Sequence, residues 1–306
     1  MKKIITNPIV DSIITLIIAY LLMQRSWFVG DLIIIYLPEI LGIDIPSIMG
    51  EDLYNTWFTY IGFISIWICG LIIISVFKGY RPILKAFSTK LKGNNIKTAI
   101  IGGLSLGLVL NLLIALVAIA TGSIKLHYEG LGLGAFLLLL IAVLIQSGAE
   151  EFVARVFIYQ RLRKNFPKWP LVAILGNGLF FILIHLGNPG MTFISELMLL
   201  LVSVMYSLVV YYFDSIWIPI VAHTTWNFTQ NIVLGLPNSG IVFPVSVFKL
   251  DAGANNFAFD STFGVEGSIL ALILNAIVCV GLYYFGRKKG AKETNIWEFT
   301  DNNNFD

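Results

Sequence analysis

The sequence predicts an all-α, polytopic membrane protein with about eight transmembrane helices. Its 306 residues are 57% hydrophobic and only 12% charged, and their mean hydropathy is +0.84. A soluble globular protein carries about 25% charged residues, so this composition excludes that class. The apolar residues are also gathered into long runs, and about 20 such residues suffice to cross a bilayer as a helix.

Eight apolar segments have about the required length, although the first is slightly short. They cover residues 8–23, 53–77, 98–121, 131–158, 171–190, 192–213, 217–236 and 268–286. The fourth is too long for one crossing, so we expect it to continue past the membrane as a helix that ends near Pro167. Residues 27–41 are also apolar, but Asp31, Pro38 and Glu39 interrupt them, which favours an interfacial or re-entrant segment.

The distribution of lysine and arginine predicts that the N- and C-termini are both cytoplasmic. The loops after the second, fourth and eighth segments are rich in basic residues, as cytoplasmic loops are. These residues are Lys78, Arg81, Lys85, Lys90, Lys92 and Lys97; Arg161, Arg163, Lys164 and Lys168; and Arg287, Lys288, Lys289 and Lys292. The loop 24–52 instead holds several acids against the single base Arg25. Changing the number of helices by one would place a basic loop outside.

The chain is predicted to form one membrane-embedded domain over residues 1–292, with its polar motifs in a core at about 131–236. Residues 293–306 are polar, which is typical of a disordered tail. The longest polar connection, 237–267, is predicted to face outside and to act either as a lid or as a spacer.

Two adjacent glutamates, Glu150 and Glu151, follow the apolar run 131–148. A carboxylate at membrane depth costs a few kcal/mol, so it usually faces a polar cavity and has a function. Arg155 lies four residues after Glu151, so the two can form an ion pair on one helix face. Glu150 lies about 100° further round the helix axis, and we expect it to stay free as a general base. These charges could instead mark the end of a helix at the membrane surface. Residues 156–159 beyond them are apolar, however, which favours a position within the membrane.

Two histidines, His185 and His223, lie in later apolar segments. A lone histidine in an apolar helix more often packs through a hydrogen bond than takes part in catalysis. Two of them in separate helices, together with buried glutamates, favour a site. Asn227 shares a helix face with His223, and Phe181 shares one with His185 and could wall one side of the site.

Two mechanisms use this set of residues, and both remain open. In one, Glu150, His185 and His223 hold a zinc ion, which lowers the pKa of bound water towards about 7. In the other, no metal is needed: Glu150 and His185 activate water, while His223 and Asn227 donate hydrogen bonds to the oxyanion. Asparagine is a weak zinc ligand but a good neutral donor, and the spacing His-Glu-x-x-His is absent.

Three motifs occur in order, each in its own apolar segment: Glu-Glu-x-x-x-Arg at 150–155, Phe-x-x-x-His at 181–185 and His-x-x-x-Asn at 223–227. Together they resemble the CPBP family, which comprises the type II CAAX prenyl endopeptidases and the bacterial bacteriocin-processing or Abi proteins. The resemblance covers about residues 135–235. Each motif alone is weak, but the ordered set is specific.

The resemblance implies an all-helical intramembrane endopeptidase of a family commonly described as metalloproteases. It also implies which residues activate water, form the oxyanion hole and support them. These are Glu150 and His185 for water; His223 and Asn227 for the oxyanion hole; and Glu151 and Arg155 in support.

The expected function is therefore cleavage of a prenylated CAAX-type or bacteriocin-like peptide near the cytoplasmic membrane face. The expected partners are a hydrophobic or lipidated peptide and the lipid bilayer, and no basic cluster with interleaved aromatics suggests nucleic acid. A composition rich in Lys, Ile and Asn favours a bacterial plasma membrane. The alternatives are a non-proteolytic scaffold or self-immunity protein on the same fold and, less favoured without matched inverted repeats, a proton-coupled transporter.

Overall fold

The computed structural model describes residues 7–290 and 293–298, and this part of the chain is mostly helical. In chain order the α-helices are α1 (Pro8–Arg25), α2 (Trp27–Asp31), α3 (Leu37–Ile40), α4 (Ile45–Met49), α5 (Glu51–Ile61), α6 (Ile64–Val76), α7 (Ile96–Leu104), α8 (Leu110–Ala120), α9 (Leu133–Glu151), α10 (Tyr159–Asn165), α11 (Pro170–His185), α12 (Phe193–Phe213), α13 (Trp217–Asn227) and α14 (Ile269–Lys288). Segments of π-helix occupy Leu32–Tyr36, Ser105–Val109, Phe152–Ile158 and Phe228–Val233, and 3-10 helices cover Arg81–Phe87 and Val265–Gly267.

The protein is an integral, multi-pass membrane protein. Within the described residues, six continuous helical stretches are long and apolar enough to cross a membrane: Pro8–Ile40, Glu51–Val76, Ile96–Ala120, Leu133–Asn165, Phe193–Phe213 and Ile269–Lys288. The two other predicted segments contain α11, of 16 residues, and α13, which continues through a π-helix to Val233. Neither is among the six stretches, so the number of eight crossings stays a prediction.

The fourth membrane segment forms the centre of the bundle. A π-helix joins α9 to α10 in a stretch of 33 residues, which ends at Asn165, close to the expected end near Pro167. Every residue from Gln146 to Leu162 is buried. A helix that is covered on all sides is typical of a bundle core, so this stretch is the framework on which the other helices pack.

The loops predicted to be cytoplasmic lie together at one end of the bundle. Arg161 binds the carboxylate of Asp11 (Nε to Oδ2, 2.6 Å) and donates to the carbonyl of Gly79 at 2.8 Å. Asn94 accepts a hydrogen bond from the backbone of Ile216 at 3.0 Å. We call this end the basic face; it comprises residues 78–95, 161–169, 214–216, 286–290 and 293–298.

The opposite end, which we call the acidic face, comprises residues 26–50, 121–132, 186–192 and 234–268. Here strands β1 (Ile124–Tyr128) and β2 (Phe248–Gly253) form an antiparallel pair. The all-α prediction missed this small sheet, because each strand is short and pairs with a partner far away in the chain.

Residues 293–298 differ from the disordered tail that composition predicts. Glu293 forms an ion pair with Arg163 at the basic face, and Ile296 is only 2% exposed. The burial of an isoleucine gives this segment an apolar anchor, which a polar composition as a whole conceals. Residues 299–306 of the predicted tail lie outside the described residues.

Two glycines bring the backbones of neighbouring helices close to α13. A Cβ on Gly107 would lie 2.1 Å from the carbonyl oxygen of Ala222, and a Cβ on Gly103 would lie 2.4 Å from the side chain of Val221. Small residues permit such close helix packing in membranes. This contact sets the position of α13, the helix that carries His223.

Candidate active site

A cavity of about 250 Å³ lies inside the bundle. The residues of the three motifs that line it are Glu150, Phe181, His185, His223 and Asn227. They come from α9, α11 and α13, so the structure brings together side chains from three separate helices. Glu151 and Arg155 do not line the cavity; they lie behind it, with side chains that are 0% exposed.

Glu151 connects the first motif to the third. Arg155 contacts it as expected, with Nε 3.1 Å from Oε2 and Nη1 donating to Oε1 at 3.2 Å. The same Oε1 lies 2.9 Å from Nδ1 of His223. Because an ionised carboxylate only accepts hydrogen bonds, Nδ1 of His223 carries the hydrogen. Glu151 therefore orients His223 as well as pairing with Arg155.

The guanidinium of Arg155 is enclosed by polar and aromatic partners. Nη2 donates to Oγ of Ser203 at 2.9 Å, and Cζ lies 5.2 Å and 5.3 Å from the ring centroids of Phe181 and Tyr206. Cations are attracted to aromatic faces, most of all where water is excluded. Phe181 also packs against His185 in a tilted arrangement with ring centroids 4.6 Å apart, so it contacts the buried cation and walls the cavity.

One carboxylate oxygen of Glu150 accepts a hydrogen bond within the protein, and the other does not. Nε2 of Gln146 donates to Oε1 at 2.8 Å, whereas Oε2 lies 3.7 Å from Nε2 of His223. The second distance is longer than a hydrogen bond. Oε2 of Glu150 is thus left to interact with a molecule in the cavity, while Glu151 is committed to Arg155.

Gln146, which sequence analysis did not single out, joins Glu150 to Asn227. Its Oε1 accepts from Nδ2 of Asn227 at 3.2 Å, and Oδ1 of Asn227 accepts from Nδ2 of Asn238 at 3.2 Å. The three amides therefore all donate in the direction of Glu150. Gln146 could have been found as an amide in an apolar run, four residues before Glu150 and on the same helix face. Asn238 lies in a polar loop and carries no such signal.

His185 presents its second ring nitrogen without a partner. Nδ1 lies 2.7 Å from the carbonyl oxygen of Phe181, and since a carbonyl only accepts, Nδ1 is the donor. Within the described residues, Nε2 has no hydrogen-bond partner. In neutral His185 this nitrogen is an acceptor at the cavity, as a group that holds a water molecule requires.

A further buried carboxylate, Glu266, lines the same cavity and was also not predicted. It accepts hydrogen bonds from the backbone N–H and, at 2.8 Å, the hydroxyl of Ser239, and from Nε1 of Trp226 at 3.3 Å. Burial raises the pKa of Glu266 above its ordinary value, although the bonds from Ser239 oppose that change. Glu266 ties the loop 234–268 to α13.

The zinc ion expected on Glu150, His185 and His223 stays a prediction. Nδ1 of His185 is bonded to a carbonyl and Nδ1 of His223 to Glu151, so only Nε2 of each histidine is left to a ligand. Across the part of the chain that the structure describes, no three His, Cys, Asp or Glu side chains are arranged to hold a metal ion. A catalytic zinc takes three protein ligands at about 2.0–2.2 Å.

The cavity opens among the loops of the acidic face. Gln24 and Asn188, at the acidic ends of two helices, line it together with Asn238, Ser239 and Ile241. The described residues of the basic face contribute none of its lining. The expectation of cleavage near the cytoplasmic face stays a prediction.

A family model described as type II CAAX prenyl endopeptidase Rce1-like matches residues 132–229. The match runs from the start of α9 to the end of α13 and includes all three motifs, so it confirms the resemblance that the motifs predicted. No curated protein and no solved structure matches the chain significantly. Residues 132–229 of this multi-pass membrane protein are thus similar to the Rce1-like type II CAAX prenyl endopeptidases, a family of proteases.

Proposed function

We propose that the protein is an intramembrane endopeptidase that hydrolyses a peptide bond of a membrane-associated substrate with water activated by Glu150. The observation that carries the proposal is Oε2 of Glu150, which faces the cavity 3.7 Å from Nε2 of His223. The family match supports peptide hydrolysis in general. The resemblance favours a prenylated CAAX-type or bacteriocin-like peptide as substrate.

In the first step, Oε2 of Glu150 removes a proton from water as the water oxygen bonds to the peptide carbonyl carbon. Nε2 of His185 accepts a hydrogen bond from the other water hydrogen and so fixes the direction of attack. Gln146, which donates to Oε1 at 2.8 Å, holds the carboxylate plane during this transfer.

In the same step the carbonyl oxygen gains negative charge. His223 carries hydrogens on both nitrogens, since Glu151 and Glu150 face Nδ1 and Nε2 respectively, and its Nε2–H donates to the oxyanion. Asn227 supplies a second donor, the amide hydrogen that Gln146 does not use. Preorganised donors of this kind are worth about 10²–10³ in rate each. When the C–N bond breaks, Glu150 returns its proton to the departing amine.

The variant Glu150→Gln tests the proposal on purified protein with a quenched-fluorescence prenylated CAAX-type peptide. Because general-base catalysis contributes about 10²–10⁴-fold, we expect the rate to fall by at least about 100-fold with an unchanged unfolding temperature. The matched control is Glu39→Gln, an exposed glutamate on the acidic face, which should retain the full rate. Full activity of the Glu150 variant would contradict the proposal, and an inactive wild type with an intact cellular phenotype would favour the scaffold or immunity role.

Dialysis against a strong chelator tests whether the activity depends on a metal. Since the proposed reaction uses only side chains of the protein, we expect the rate to stay unchanged. A rate that is lost on chelation and restored by zinc alone would contradict this mechanism and assign the metal-dependent one.

A further inference from the structure

We infer that the active site receives its peptide from the acidic face of the bundle, on the extracytoplasmic side of the membrane. The substrate class is then a membrane-anchored or exported peptide whose scissile bond lies outside the cytoplasm. The inference rests on the proposed peptidase function and adds the side from which the substrate comes.

The cavity reaches the surface at the acidic face. Of its lining residues, Ile241 in the loop 234–268 is 42% exposed and Gln24 is also exposed, whereas Glu150 is only 7% exposed. Asn188 and Gln24, which also line the cavity, lie at helix ends on the same face. A peptide can therefore approach between these loops without any displacement of the bundle core.

On the other side of Glu150 the bundle is closed. The stretch Gln146–Leu162 is buried throughout and runs from the cavity to the basic face. Phe152 packs on Trp67 with ring centroids 5.0 Å apart, and Phe157 stacks on Tyr80 at 5.2 Å. A peptide arriving from the basic face would have to open this close-packed core, which is costly.

The distribution of charge assigns each face to one side of the membrane. Within the described residues, the acidic face and the helix ends that adjoin it carry three bases, namely Arg25, Lys125 and Lys249. The same regions carry the acids Asp31, Glu39, Asp44, Glu51, Asp52, Glu129, Glu196, Asp251, Asp260 and Glu266. The described basic loops lie at the other end and are cytoplasmic by the positive-inside rule. The open end of the cavity is consequently extracytoplasmic.

Sidedness is tested by labelling single cysteines on a Cys69→Ala, Cys279→Ala background. Ile241→Cys reports the mouth of the cavity, and the matched variant Lys92→Cys reports an exposed position of the basic face. A membrane-impermeant maleimide added to intact cells should label only the first variant, and both after permeabilisation. Labelling of Lys92→Cys alone in intact cells would overturn the inference.

Substrate delivery is tested with sealed vesicles and a quenched CAAX-type peptide that carries a charged, impermeant tail. We expect cleavage by right-side-out vesicles and a rate at least 10-fold lower with inside-out vesicles, with equal rates once detergent is added. Cleavage confined to inside-out vesicles would overturn the inference while leaving the peptidase function intact. No cleavage in detergent would instead overturn the peptidase function, and the labelling would still decide which way the cavity opens.

Discussion

The carboxylate of Glu151 binds Nδ1 of His223 at 2.9 Å, across 72 positions of sequence. Through Arg155 on its other side, this glutamate links a buried cation to a histidine of the cavity. The glutamate that spacing predicted to be a simple ion-pair partner is therefore also the residue that orients His223.

Removal of either charge of the buried pair Glu151–Arg155 should destabilise the protein, and removal of both should cost less than the sum of the two losses. Glu151→Gln or Arg155→Met leaves one buried charge without its partner, which costs about 3–5 kcal/mol in the free energy of unfolding. The double variant leaves neither charge, so its loss should be smaller than the sum of the two. Unfolding of the three variants in detergent measures this coupling, and strictly additive losses would contradict it.

Gln146→Leu should slow catalysis without weakening substrate binding. The substitution removes the amide that donates to Glu150, and a hydrogen bond to a charged group is worth about 1.5–3 kcal/mol. We therefore expect kcat to fall by about 10–100-fold with KM unchanged. Gln160→Leu removes an amide from the same helical stretch, away from the cavity, and should keep the wild-type kcat. An equal loss in both variants would refute a specific role for Gln146.

Gly107→Ala should displace α13 and so reduce both stability and activity. Its Cβ would lie 2.1 Å from a backbone oxygen, which cannot move aside as a flexible side chain can. Overpacking of this kind typically costs about 1–3 kcal/mol. Gly134→Ala, where a Cβ meets nothing within 4 Å, is the matched control. The unfolding temperatures of the two variants are compared with that of the wild type. An unchanged value for Gly107→Ala would contradict the close approach.

Truncation after Gly290 should lower the unfolding temperature more than truncation after Glu298. The first removes Ile296, and the loss of a large buried apolar side chain costs about 2–5 kcal/mol. Ile296→Ala in the full chain isolates that part of the effect. Identical unfolding temperatures for both truncations would show that residues 293–298 contribute nothing to stability.

Much of the architecture could be predicted because its signals are local. A run of apolar residues indicates a membrane helix by length alone, and four-residue spacing places Arg155 beside Glu151. The strands β1 and β2 and the docking of Ile296 could not be found in this way, since each depends on a partner distant in the chain. The mouth of the cavity could not be predicted either, because loops that follow different helices form it together.

By itself, the sequence determined the membrane class, the helical segments and the residues of the three motifs, since hydropathy and helical periodicity are properties of neighbouring residues. Only the tertiary structure decided how those residues are connected. In that structure His223 binds Glu151, and a chain of amide hydrogen bonds runs from Asn238 to Glu150. The cavity opens towards the acidic face. Buried polar groups must find partners wherever the fold supplies them, and in this bundle those partners lie on other helices and loops.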